Sequence, residues 1–266
     1  MDKRIIIAFL LLGTMACNKE MNDIQSETYQ AEFKANFPEA FTKLAGKDSW
    51  RGDGAEKIAF TLKQAEGSST GIYIIKNASG TTEAETPAFW QNSKTAAQIT
   101  AVFPASVAKN SLDISDQSTS DKFNQCDILK AVNNNASFGD DLVMSFTHAM
   151  AKVRVELTPG TGIDLTKVSS VKINSNIYAH WDSASASVKG YSYGQVNACM
   201  ETKTASRAVY EALVIPGEVN SGVVNPTEFI TIVMDGLTQY IYAAPSSPTK
   251  TLLPGKIYTY NITVGS

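Results

Sequence analysis

Short runs of alternating apolar and polar residues fill most of this 266-residue chain from Lys57 onward. Successive side chains of a strand point to opposite faces, so these runs predict half-buried strands. They lie at 58–62, 71–75, 99–103, 171–173, 177–181, 212–215, 229–234 and 237–243. Segments rich in Ser, Thr, Asn and Gly separate them, and we expect polar loops at 110–121 and 131–141. The pattern predicts an all-β fold of the sandwich type, without a helical domain or a parallel α/β sheet.

The last strand has the clearest pattern. Pro254-Gly255 precedes a run whose alternate residues are apolar, namely Tyr258, Tyr260, Ile262 and Val264. The residues between them are polar, which predicts a terminal strand with one buried face. Upstream, Asp235-Gly236 separates two strand-like runs and predicts the type I′ turn of a β-hairpin.

The strand pattern changes phase in the middle of the chain. The residues of one parity are Leu142, Met144, Phe146 and His148, and those of the other are Ala151, Val153, Val155 and Leu157. A shift of one residue moves side chains to the opposite face of a strand. The chain therefore either bulges near 147–150 or leaves one core for another. We interpret the shift as the boundary between two β domains, 57–149 and 150–266.

Residues 17–56 have a different pattern, in which 18–26 is a polar tether. After it, aromatic residues recur at near-helical spacing, namely Tyr29, Phe33, Phe37 and Phe41, followed by Leu44. This spacing predicts a short N-terminal helix, which Pro38 limits to one or two turns.

The first 16 residues have the build of a bacterial export signal. Lys3 and Arg4 precede the apolar run 5–12, and small or apolar residues lead to Cys17. The run is too short to span a bilayer. We expect cleavage before Cys17 and lipidation of its sulfur, which would attach the chain to a membrane. The alternative is an ordinary signal peptide cut nearby, with Cys17 incidental.

Charge and motifs disfavour several classes of function. The chain carries 23 basic and 26 acidic residues, whereas a nucleic-acid partner needs a basic surface. The two histidines, His148 and His180, have no zinc-site spacing, and we expect His148 to be a hydrogen-bonded core residue. No phosphate loop, nucleophile elbow or metalloprotease motif is present. We therefore expect no catalytic residues, no metal and no cofactor.

Two cysteines remain after Cys17. Cys126 and Cys199 could form a disulfide in an exported protein, but they have neither paired nor metal-ligand spacing. We favour two buried free thiols.

Several segments together resemble the fimbrillin family of Bacteroidetes, the shaft, tip and anchor proteins of type V pili. Residues 142–157 (LVMSFTHAMAKVRVEL) resemble the family's mid-chain stretch, and 212–217 (ALVIPG) resembles its "viPG" segment. The hairpin at Asp235-Gly236, followed by 253–260 (LPGKIYTY), resembles its closing strand, and 127–129 (DIL) resembles a segment that follows a polar loop.

The resemblance implies two transthyretin-like Greek-key β-sandwich domains and a structural role. In this family, subunits arrive as lipoproteins, a trypsin-like protease removes an N-terminal segment of shaft subunits, and a neighbour's strand fills the groove. Arg51 is our candidate cleavage site, with Lys43 and Lys47 as competitors and a solvated loop arginine as the alternative. The candidate donor or edge strand is the last one, with Tyr258, Tyr260, Ile262 and Val264.

The leading hypothesis is a structural subunit of a fimbria at the outer membrane and cell surface, with other fimbrial subunits as partners. The sequence leaves the shaft, tip and anchor roles open. The alternative is a non-polymerising surface lipoprotein that binds a glycan or host ligand through exposed aromatic residues. The candidates for that surface are Trp90, Trp181, Tyr191 and Tyr193.

Overall fold

The computed structural model describes residues 29–38, 49–218, 228–235, 238–243 and 251–265, and its regular structure is almost entirely β-strand. The strands before residue 150 are β1 (Tyr29–Gln30), β2 (Lys34–Asn36), β3 (Lys57–Gln64), β4 (Gly67–Ile75), β5 (Thr82–Thr86), β6 (Phe89–Trp90), β7 (Ala97–Phe103), β8 (Leu112–Asp113), β9 (Leu129–Ala136), β10 (Val143–Ser145) and β11 (Thr147–His148). Those after it are β12 (Ala151–Pro159), β13 (Val168–Asp182), β14 (Ser187–Asn197), β15 (Cys199–Lys203), β16 (Ala208–Val214), β17 (Gly217–Glu218), β18 (Ile230–Met234), β19 (Gln239–Tyr242), β20 (Thr251–Leu252) and β21 (Ile257–Val264).

Helical structure in the described ranges is short. It comprises α1 (Ser120–Gln125) and two 3-10 helices, Ala105–Ala108 and Leu165–Lys167. None of these helices is long and apolar enough to cross a membrane.

The first half is built on a six-stranded antiparallel sheet of order β11-β9-β7-β3-β4-β5. On β3, Ile58, Phe60 and Leu62 are fully buried in one core, while Ala59 faces a second core on the other side. The sheet is therefore covered on both faces, which explains the apolar residues in both phases of its central strands.

The second half is a sandwich of two sheets. The first has the order β15-β16-β12-β21, and the second contains β14-β13-β18-β19. Val153 and Val155 of β12 share a core with Val171 and Ile173 of β13, so the two sheets face each other. The expected all-β sandwich is confirmed, while the transthyretin-like Greek-key topology of each domain stays a prediction.

A third core joins the two halves. It combines residues of the first half, such as Ala59 and Val102, with Ala179 and Leu213 of the second. Gln117 is fully buried here. Its side-chain amide donates to the carbonyl of Leu213 at 2.7 Å, and its side-chain oxygen accepts the Leu213 N–H at 2.8 Å. This paired amide fastens the two halves together.

The two predicted polar loops contain more regular structure than expected, so this expectation was wrong in part. Segment 110–121 contains β8, which pairs with β13, and the start of α1, where the Thr119 side chain accepts from the Lys122 N–H. Segment 131–141 continues β9, which pairs along β7. Its asparagine run lies on a largely solvent-facing part of that strand, so polarity was mistaken for a loop.

The phase shift near residue 148 coincides with a change of core. Leu142, Met144 and Phe146 pack in the core of the first half. Ala149 and Met150 lie in the joining core, and β12 enters the core of the second half. The division into domains at 149/150 stays a prediction.

The predicted N-terminal helix is not formed in the described residues. Tyr29–Gln30 and Lys34–Asn36 are strands, and Phe41 and Leu44 lie outside the described ranges. Ala31, Phe33 and Ala35 are buried while the residues between them are exposed, so the burial period is two. Tertiary pairing decides the conformation, since an aromatic spacing of four fits both periods.

Candidate functional site: the N-terminal strand and its groove

Residues 29–36 occupy a groove between two edges of the first half. On one side β2 runs parallel to β10, with Ala35 opposite Met144. On the other side the Ala35 N–H donates to the Gly80 carbonyl at 2.8 Å, and the Thr82 hydroxyl donates to the Phe33 carbonyl. The N-terminal strand therefore satisfies backbone groups on both walls.

Along the strand, the inward side chains that the floor of the groove accommodates are a small one, Ala31, an aromatic one, Phe33, and a second small one, Ala35. Phe33 stacks on Phe60 with ring centroids 4.4 Å apart and meets the edge of Tyr73 at 4.8 Å. Ala31 and Ala35 are buried on either side of Phe33. Gly80 approaches the strand so closely that a Cβ there would lie 1.7 Å from the Ala35 carbonyl oxygen. Only glycine therefore fits at position 80.

Tyr73 and Trp50 bind the backbone of this strand from below. The Tyr73 hydroxyl donates to the Ala31 carbonyl at 2.6 Å, and burial raises the pKa of this phenol. The Trp50 indole N–H donates to the Ala35 carbonyl at 2.8 Å. The Trp50 ring is almost completely buried and makes edge contacts with Phe37 and Phe146 at 4.9 and 5.5 Å. Trp50 therefore helps to fill the groove, together with the N-terminal strand.

Arg51, the candidate cleavage site, has an accessible side chain on a fixed backbone. Its side chain is 62% exposed and lies 3.5 Å from the Asp53 carboxylate. The buried Glu56 carboxylate accepts from the N–H groups of Arg51 and Gly52 at 2.7 and 3.2 Å. Gly52 has φ of 65°, and a Cβ there would clash with Asn77. A protease that needs an extended backbone would have to open this turn first.

We expect Glu56→Gln to speed trypsin cleavage after Arg51 by about tenfold. The neutral amide weakens two charge-assisted hydrogen bonds, and each such bond contributes about 1.5–3 kcal/mol. Native-state proteolysis followed by mass spectrometry measures the rate. Asp121→Asn is the control because Asp121 is an exposed carboxylate on α1, outside this turn, and it should change the rate little. Equal rates for Glu56→Gln and the unmodified chain would show that this turn does not protect the bond.

β21 lies at one end of its sheet and pairs with β12 in parallel from Ile257 to Val264. Tyr260 and Val264 are buried, and Tyr258 and Ile262 pack against the same core, as the alternation predicted. Burial raises the pKa of the Tyr260 phenol to about 12. As a donor to a neighbour, this strand would have to leave its own core; its donor role stays a prediction.

The other sites predicted from the sequence are three basic or cysteine residues near the N-terminus, two cysteines and one hairpin. Cys17, Lys43 and Lys47 lie outside the described residues. Cys126 and Cys199 are buried free thiols, as favoured, and burial raises the pKa of the Cys126 thiol to about 12. The hairpin pairs β18 with β19, although Gly236 of its turn is not described.

The histidine and aromatic candidates differ in exposure. His148 Nδ1 lies 2.9 Å from the Asp127 carboxylate, which fits the expected core histidine. Trp90 is buried, whereas Trp181 and Tyr193 are partly buried and Tyr191 is exposed. Sequence reasoning missed Ala31, Ala35 and Trp50, although the Ala-x-Phe-x-Ala alternation at 31–35 was a readable strand signal.

Comparison with known families decides the identity. The family model described as fimbrillin-like matches residues 47–266. The chain belongs to the fimbrillin-like family. This membership makes it a fimbrial-type surface protein of a structural family, as the sequence resemblance indicated.

Two solved structures, with TM-scores of 0.62 and 0.60, agree on the fold of this fimbrillin-like chain. A candidate cell adhesion protein from Bacteroides ovatus superposes with a TM-score of 0.62 at 14% identity, covering 89% of this chain and 92% of that one. A candidate cell adhesion protein from Bacteroides uniformis gives 0.60 at 14% identity, with 88% and 93% covered. The tip fimbrial protein Mfa3 of Porphyromonas gingivalis gives 0.46 at 11% identity, with 80% and 90% covered. No curated protein sequence matches the chain.

Proposed function

We propose that this protein is a structural subunit of a surface fimbria, delivered to the outer membrane as a lipoprotein on Cys17 and assembled by strand addition. The observation that carries the proposal is the N-terminal strand, which lies in a groove and is joined to the domain through Trp50 and the Arg51 turn. Its removal would leave unpaired backbone groups and an open apolar groove, which an incoming strand can satisfy.

Cleavage after Arg51 would remove more than a strand. Trp50 precedes the cut, so its ring would leave together with Ala31, Phe33 and Ala35. The exposed floor would then include Phe60, Tyr73 and the Trp50 neighbours Phe103 and Phe146. An incoming strand would have to cover this aromatic floor while placing a small residue at the fully buried position that Ala35 occupies.

The chain's own last strand is a poor match for that groove. Its inward positions are Tyr258, Tyr260, Ile262 and Val264, all bulky, whereas the resident strand is small at Ala31 and Ala35. Overpacking of this kind costs about 1–3 kcal/mol at each misfit. We therefore expect the partner strand to come from another kind of fimbrial subunit and not from a second copy of this chain.

Three peptides test this proposal on protein cut after Arg51. A peptide with the sequence of 30–36 should refill the groove. Its Ala35→Leu version should bind at least about tenfold more weakly, because the Ala35 side chain is fully buried and a larger one would overpack the core. A peptide with the sequence of 257–264 should bind poorly. Isothermal titration measures each affinity. Folded, cut protein that accepts none of them would contradict strand addition, and equal binding of all three would contradict the small-residue requirement.

Protein purified from cells tests maturation. We expect a membrane fraction with lipid on Cys17 and an assembled fraction whose chain begins at Gly52, and Arg51→Ala should abolish the second. Mass spectrometry of the N-terminus distinguishes them, with Lys47→Ala as the matched control. Fimbriae that retain residues 29–38 in every subunit would contradict this route. A chain found only in its lipidated form would support an anchor role instead.

A further inference from the structure

A cavity of about 370 Å³ lies where the first half meets the second, and its lining includes none of the N-terminal groove residues. One wall is the segment 107–111, and the opposite wall is formed by His180, Trp181 and Tyr191. Its volume falls within the range of about 300–1,000 Å³ that small-molecule sites occupy.

The topology explains why these residues meet. β8 pairs with β13 so that Leu112 lies opposite Ala179 and Asp113 opposite Tyr178. The residues just before β8 therefore run beside the next residues of β13, His180 and Trp181. Val107 is buried in the joining core and fixes the start of this wall.

Tyr191 is the aromatic face of the cavity. Its side chain is 43% exposed, although the ring is held in place. It stacks on Tyr178 with centroids 5.4 Å apart and lies 5.9 Å from the His180 ring. Its hydroxyl donates to the Ser111 side chain across the cavity. An exposed ring held this firmly loses little conformational freedom when a ligand stacks on it.

The backbone beside Tyr191 is strained. Ser192 has φ of 58°, a conformation that residues other than glycine, asparagine and aspartate rarely adopt. A strained backbone conformation persists only where the surrounding structure enforces it, and such positions concentrate at functional sites.

Polar groups of several kinds surround the ring. Lys109, Asn110 and Ser111 are consecutive and exposed, and they offer an ammonium, an amide and a hydroxyl. None of the residues that line the cavity carries a carboxylate. His180 Nδ1 has no hydrogen-bond partner within the described part of the chain. The lining thus combines donors, acceptors and one positive charge around an aromatic face.

We propose that this cavity binds a sugar residue of a glycan, with carboxylate-bearing sugars preferred. The C–H face of a pyranose ring packs on Tyr191, while its hydroxyl groups bond to Asn110 and Ser111. Lys109 attracts the carboxylate of an acidic sugar. This inference is independent of strand addition, since it uses none of the groove residues.

Glycan-array binding of the purified protein tests the class of ligand, with neutral hexoses and uronic- or sialic-acid termini side by side. We expect binding that is several-fold stronger for the acidic termini. Titration of the best saccharide should give about tenfold weaker binding for Tyr191→Ala, because the stacking face is lost. Tyr191→Phe keeps the ring and should bind nearly as well as the unmodified chain. Lys109→Met should remove the preference for acidic sugars.

Ile241→Ala is the matched control, since Ile241 is 53% exposed on β19 and does not line the cavity. It should leave binding unchanged. Circular dichroism establishes that each variant is folded. A folded protein that binds no saccharide, or a folded Tyr191→Ala variant that binds normally, would overturn the proposal. Equal binding of neutral and acidic sugars would overturn the role of Lys109.

Discussion

Replacement of Phe33 by alanine is expected to lower the free energy of unfolding by about 3–5 kcal/mol. Phe33 is buried and stacks on Phe60 at 4.4 Å, so truncation would leave a cavity in the floor of the groove. Phe60 and Tyr73, which contact the Phe33 ring, are themselves buried, and this packing limits how far the groove can collapse around the missing ring. Urea unfolding of the intact chain, followed by near-UV circular dichroism, measures the loss.

Lys34→Ala is the matched control for Phe33. Lys34 lies next to Phe33 on the same strand, but its side chain is exposed. We expect its loss to change stability by less than about 0.5 kcal/mol. If Phe33→Ala were equally mild, the strand would contribute little to the first half. Removal of that strand would then not leave a groove that needs a replacement strand.

Replacement of Lys152 by alanine is expected to cost about 1.5–3 kcal/mol, for a different physical reason. Lys152 Nζ lies 2.7 Å from the Glu211 carboxylate, and both side chains are only 1% exposed. Removal of the lysine takes away one of the two cations that pair with the buried Glu211 carboxylate. Arg154 remains as the other, so the desolvation cost of that charge is then offset only in part. Thermal and urea unfolding measure the change.

A double variant separates charge from packing at this pair. Lys152→Met combined with Glu211→Leu removes both charges and keeps the volume, and Arg154 retains its ion pairs with Glu156 and Glu201. The double variant should therefore be less destabilised than Lys152→Ala alone. The exposed pair Lys76–Glu83, also 2.7 Å apart, is the control, and Lys76→Ala should cost no more than about 1 kcal/mol. A double variant as unstable as the single one would show that the pair itself stabilises the fold.

The described strands that follow clear alternation were predictable. β3, β7 and β21 fall where the pattern put them, because each buries at least one regular face against a core. β9 was missed because its asparagines carry no hydrophobic signal. What holds that segment in a strand is backbone pairing with β7, which depends little on side-chain polarity.

The candidate site was predictable only in part. Arg51 was recognisable as a basic residue among glycines. The hydrogen bond from its backbone N–H to the Glu56 carboxylate depends on a turn that sequence spacing does not reveal. The aromatic residues before it suggested a helix, whereas the groove between β10 and Gly80 made them a strand. Trp50 became part of the site because its indole reaches Ala35, fifteen positions earlier in the chain.

The sequence by itself determined the all-β character, the position of the last strand and the family, because alternation and motif order are local properties of the chain. Only the tertiary structure decided that residues 29–36 fill a groove, that Gln117 joins the two halves and that Tyr191 faces a cavity. These features depend on contacts between segments far apart in sequence. Such contacts satisfy backbone and side-chain groups that no single segment can satisfy alone.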